Sequence, residues 1–71
     1  MAEYDYSALD PAFGKLAKPA QRALLNNAMR SPTDLASHSR DEVLALHGIG
    51  PTAMPTLEHA LAAQGLAFRD A

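Results

Sequence analysis

Cysteine is absent from this chain of 71 residues. Its absence excludes a disulfide framework, a thiolate metal site and a thiol nucleophile. No apolar run approaches the length needed to span a bilayer. An excess of positive charge is missing too: the net charge is -2, which argues against a bulk polycation that coats nucleic acid. The opening Met1-Ala2-Glu3-Tyr4-Asp5-Tyr6 is polar and acidic, unlike a signal or transit peptide, so the expected location is the cytoplasm. Strand alternation bounded by hairpin turns is also lacking. The length supports one domain with one small core, whose stability is modest unless a partner or a second copy adds burial.

Charge is present, but unevenly. Residues 11–33 hold Lys15, Lys18, Arg22 and Arg30 and no acid, while the acids lie before Pro11 and from Asp34 onward. A chain of this kind can turn one basic face to a phosphate backbone, with a weak and strongly salt-dependent pull.

Start and stop signals divide the chain into short helices. Residues 1–10 read as a flexible arm, although Tyr4, Tyr6 and Leu9 can fold back onto a core. Asp10-Pro11 is an N-cap followed by proline at the first helical position, opening a short turn through Phe13 that Gly14 ends. Phe13 and Leu16 are expected in the core. Lys18-Pro19 opens a helix over about 19–29, with Ala20, Ala23, Leu24 and Ala28 inward and Gln21, Arg22, Asn26 and Asn27 facing water. Ser31-Pro32-Thr33-Asp34 restarts the chain as a short helix with Leu35 as its apolar residue, stopping near His38. Ser39 and Glu42 make a capping box, so a third helix is expected over about 40–46 with Val43, Leu44 and Leu46 inward.

The fourth helix must accommodate Pro51 and Pro55. A helix beginning at Pro51 would set the Pro55 ring against the Pro51 carbonyl. The expectation is therefore a late start with Thr52 as N-cap. Met54, Leu57 and Leu61 then face inward, and Gly65 ends the helix in a left-handed conformation with Leu66 touching Leu61. Phe68 packs back as the chain leaves. The fold class expected is all-α, a compact bundle of four to five short helices, with the domain over residues 11–68 and a tail over 69–71.

Between the third and fourth helices stands Leu44-Ala45-Leu46-His47-Gly48-Ile49-Gly50-Pro51. Glycine, one hydrophobic residue and glycine between two helices is the pattern of a helix-hairpin-helix. The glycines permit positive φ and close backbone approach, and their N–H groups can point at a phosphate. The plainer reading is a helix–helix turn whose glycines serve geometry alone.

Three blocks carry a resemblance: Lys18-Pro19-Ala20-Gln21-Arg22-Ala23-Leu24, then Asp34-Leu35, then Asp41-Glu42-Val43-Leu44-Ala45-Leu46-His47-Gly48-Ile49-Gly50-Pro51. With the tail Leu57 to Leu66, they make residues 15–68 resemble the C-terminal domain of the bacterial RNA polymerase α subunit and small stand-alone proteins built on it. The resemblance implies a SAM-like helical bundle that touches DNA phosphates and the minor groove through the hairpin and the start of its first main helix. Gly48, Ile49 and Gly50 match that hairpin. The lysine and serine that follow it in the family are Thr52 and Ala53 here. The family's minor-groove arginine falls at Pro19, and its asparagine falls at Arg22.

Two functional readings compete. The first is a non-enzymatic DNA-binding module with weak, largely sequence-independent contacts from Gly48, Ile49, Gly50 and Thr52, helped by Lys15, Lys18 and Arg22. The second is a SAM-like protein-interaction domain, transcription-associated by analogy, that meets a protein partner or itself through the apolar tail around Leu66 and Phe68. No cofactor, membrane or small-molecule substrate is expected. An enzyme is not expected either: His38, His47 and His59 lack metal-ligand spacing, Asp41-Glu42 is helix-start chemistry, and Ser39 is spent on its cap. His47 reads as a turn residue, and Tyr4 and Tyr6 as core or disordered residues ahead of base-stacking ones.

Overall fold

Local capping writes most of this structure. In the computed structural model, which describes residues 4–69, four α-helices appear: α1 (Lys18–Asn26), α2 (Pro32–Ala36), α3 (Arg40–Leu44) and α4 (Met54–Ala63). Single 3₁₀ turns stand at Tyr6–Ala8, Pro11–Phe13 and Pro51–Ala53. No strand forms among the described residues, so the fold is all-α. The radius of gyration, 11.1 Å, is what a packed chain of this length should have.

The caps read at Asp10, Ser31, Ser39 and Gly65 are made by the residues expected. Asp10 accepts from the Ala12 amide at 2.9 Å. Ser31 accepts from the Asp34 amide at 3.2 Å, with Pro32 at the first position of α2. Ser39 Oγ accepts from the Glu42 amide at 3.1 Å while Glu42 accepts from the Ser39 amide at 2.9 Å, closing the capping box. At the far end Gly65 has φ +70°, and the Leu66 amide donates to Leu61 at 2.8 Å across the closing turn.

The core gathers side chains from all four helices and from the Pro11–Phe13 and Pro51–Ala53 turns. Phe13, Leu24, Leu35, Val43, Met54, Leu57 and Leu61 are wholly buried, with Leu9, Leu16, Met29 and Ile49 around them. Leu44, Leu46, Leu66 and Phe68 are half-buried against this cluster. Residues 4–9 therefore reach the bundle through Leu9, and the Asp10 amide donates to the Arg30 carbonyl at 2.8 Å. Residues 1–3 of the arm, and 70–71 of the tail, lie outside the described residues.

Three expectations need correction. Helix α1 stops at Asn26, and Ala28 is exposed with φ +58° where an inward helical residue was expected. The cause is Met29, which turns back into the core and donates its amide to Leu24 at 2.9 Å. Alanine thus occupies a left-handed position that favours glycine. Ala28→Gly should raise stability by about 0.5–1 kcal/mol, since relief of the Cβ strain outweighs the added unfolded-state entropy. A thermal melt reads it: no rise in the midpoint would contradict this backbone geometry.

Gln21 is the second correction, for it is buried where water was expected. Its Nε2 donates to the Leu16 carbonyl at 2.8 Å and more weakly to Gly14 at 3.4 Å. Those carbonyls belong to the non-helical segment before α1, so no periodicity along the helix reveals them. The third concerns Thr52. Helix α4 does start late, but Thr52 caps nothing; the Ala53 and Met54 amides bond to Gly50 and Pro51 in a 3₁₀ turn. Pro55 then falls in the first turn of α4, where its missing N–H leaves no bond unmade.

Candidate nucleic-acid interface

The turn from His47 to Gly50 is seated on the start of α1. Gly48 has φ +98°, and a Cβ built on it would lie 2.6 Å from the Pro19 carbonyl oxygen. Only glycine permits both that φ and that approach. Beside it Ile49 is buried and its amide donates to Leu46 at 3.1 Å, so Ile49 anchors the turn and has no donor left to offer a phosphate. Gly50 differs from Gly48: its φ is -122°, open to any residue, and a Cβ there would meet nothing within 4 Å. Neither the backbone nor the packing requires glycine at 50.

Among the described residues the amides of Gly48, Gly50 and Thr52 donate to no acceptor within the chain. Lys15, Gly48, Gly50 and Thr52 line one cleft of about 220 Å³ between the turn and the chain entering α1. Arg22, His47 and Gly48 line a second cleft of about 270 Å³, on the other side of Gly48. Among the described residues no acidic one lines either cleft. Six of the seven sequence-predicted residues therefore have a place around this turn: Lys15, Arg22, Gly48, Gly50 and Thr52 line the clefts, and Lys18 opens the helix between them.

The basic side chains are held from the arm. Lys18 Nζ sits 4.1 Å from the centre of the Tyr6 ring, and the Arg22 guanidinium lies 6.0 Å from that of Tyr4. Among the described residues no carboxylate comes within ion-pair distance of Lys15, Lys18 or Arg22. The ion pairs lie on the α3 side instead, where Arg40 meets Glu58 at 2.9 Å and Arg69 meets Glu42. Among the described residues Lys18 and Arg22 thus meet aromatic rings and no carboxylate. Sequence reading ranked Tyr4 and Tyr6 as core or disordered and His47 as a turn residue; their place beside α1 was not legible, since only tertiary folding brings residues 4, 6 and 47 there.

The α3 pairs hold the end of the chain. The Arg69 amide donates to the His38 carbonyl at 2.9 Å, and its guanidinium reaches Glu42. The Glu42 carboxyl is held below the ordinary value of 4.5, first by the Ser39 amide, against partial burial, then by the Ser39 hydroxyl, Arg69 and His38. Its charge therefore stabilises the fold above about pH 4.5, and that contribution is lost as pH falls through the lowered native value. Glu42→Gln, which keeps a capping-box residue, should be less stable than the native chain near neutral pH. The two should converge in melts taken as the pH is lowered through that native value. A constant gap across that range would refute the assignment.

Comparison with protein-family models, with curated proteins and with solved structures returns no match to the chain. No helix among the described residues is long and apolar enough to cross a membrane. Among the described residues every buried side-chain polar atom has a hydrogen-bond partner, so unmet bonding capacity lies at the surface.

Proposed function

We propose that this chain is a small phosphate-binding module for DNA, making weak and largely sequence-independent contacts through the Gly48-Ile49-Gly50 turn. The observation that carries the reading is the convergence on Gly48 of two acid-free clefts, one holding Lys15 and the other Arg22. The amides of Gly48, Gly50 and Thr52, without an acceptor among the described residues, add donors at the turn. The open space at Gly50 supports it too, because a glycine that the fold does not require suits close approach by a ligand backbone. The resemblance of residues 15–68 to the polymerase α C-terminal domain points the same way. Three cations predict a salt slope of only about -2 to -3, with binding visible at low ionic strength.

Titration with short DNA, duplex and single-stranded, at low salt should move the Gly48 and Gly50 amide resonances. No movement with either form would overturn the proposal. A protein-interaction surface is the second reading, and one feature favours it. A groove of about 420 Å³ between the Pro11–Phe13 turn and α4 is lined largely by small apolar side chains, among them Pro11, Ala12, Pro55, Ala60 and Ala63. The tail offers less than expected, because Leu66 and Phe68 are spent on the core. Self-association by sedimentation, insensitive to salt, would favour this second reading.

A further inference from the structure

Tyr4 is the one large hydrophobic side chain exposed among the described residues, at 39%. Its position is set, not loose. The Asn26 side-chain Nδ2 donates to its hydroxyl at 3.2 Å, and its ring lies 6.1 Å from that of Tyr6 at a 32° tilt. Tyr4 and Asn26 form the wall shared by two clefts. One, of about 270 Å³, continues to Arg22, His47 and Gly48. The other, of about 380 Å³, continues to Arg30 and contains Asp5. The acid disfavours a phosphate in the second. Among the described residues the first is lined by an aromatic ring, a guanidinium and a backbone amide without an acceptor, and by no carboxylate.

We infer that the cleft between Tyr4 and the His47-Gly48 turn takes one nucleotide of an unpaired strand. The base lies against the Tyr4 ring, and the phosphate sits between Arg22 and the Gly48 amide. This rests on the phosphate reading proposed above and narrows its ligand to single-stranded nucleic acid. In a duplex each base is stacked between its neighbours and offers no face to an aromatic ring at the protein surface. An unpaired base does, and its stacking on tyrosine tolerates any sequence, as weak unspecific binding requires. Lys18, drawn over Tyr6, then follows the strand's backbone as it leaves the cleft.

The chain has two tyrosines, Tyr4 and Tyr6, and no tryptophan, so its intrinsic fluorescence reports on this segment alone. The full chain is titrated at low salt with oligothymidine and oligouridine of about 12 nucleotides, and with a duplex of equal length. Affinity is read from a label on the nucleic acid, and stacking from tyrosine quenching. The expected result is tighter binding of a strand than of the duplex, with quenching by the strand. Tyr4→Ala should weaken strand binding about 5- to 100-fold and duplex binding much less, whereas Tyr4→Phe should retain strand binding. Far-UV circular dichroism checks that each variant keeps its helices. Which strand binds, oligothymidine or oligouridine, distinguishes DNA from RNA as the source of the unpaired nucleotide. If the duplex binds as well as the strands and Tyr4→Ala changes neither, the inference is overturned while the phosphate reading stands. If no nucleic acid binds, both fall.

Discussion

Gly48→Ala should lose about 2–5 kcal/mol of folding free energy. The left-handed backbone costs a Cβ roughly 1–2 kcal/mol. Pushing that Cβ away from a backbone oxygen 2.6 Å distant adds about 1–3 kcal/mol of overpacking, because Pro19 sits in the rigid first turn of α1 and cannot swing aside as a side-chain tip would. At roughly 0.05–0.15 kcal/mol per residue, 71 residues give a total of only about 4–10 kcal/mol. The variant should therefore melt more than about 10 °C below the native chain, and the most severe outcome is a domain unfolded at room temperature. A midpoint within a few degrees of native would mean that the turn does not sit on α1. Gly50→Ala is the matched control. With extended φ and open space around it, this substitution should leave stability unchanged or raise it slightly. If it weakens DNA binding while the melt holds, the glycine at 50 serves the ligand and the one at 48 serves the fold.

Phe13→Ala should cost about 3–5 kcal/mol, a loss comparable with the whole stability of the domain. Phe13 is the one aromatic side chain with no exposed surface, and it arrives on a three-residue 3₁₀ turn rather than on a helix. Its ring fills the space against which α4 packs, and the Gln21 side chain ties this segment to α1 through the Leu16 and Gly14 carbonyls. Truncation therefore leaves a cavity and loosens the segment carrying Lys15. Urea unfolding followed by circular dichroism reads the loss directly, and Phe13→Leu should recover more than half of it. A loss below about 1 kcal/mol would show that the turn is not part of the cooperative core.

The readable parts of this chain were those decided within three or four residues. Asp10, Ser31, Ser39 with Glu42, and Gly65 act on amides in their own turn, so spacing along the chain reports them directly. The late start of α4 was legible for the same reason, since Pro51 and Pro55 constrain one another locally. The all-α class, the capping box and most of the inward residues were therefore determined by the sequence alone. Tertiary structure decided what depends on distant partners. Ala28 is left-handed because Met29 must reach the core, and Gln21 is buried because two carbonyls before α1 need its amide. The candidate site divides along the same line. Gly-Ile-Gly announced a turn with free amides, but it did not say that Gly48 is bound by contact with Pro19 and Gly50 is not. Nor did it say that Lys15 and Arg22 would flank that turn, with Tyr4 closing one cleft beside it. Those juxtapositions join residues 4, 15, 22 and 48, and only packing of the core brings them together.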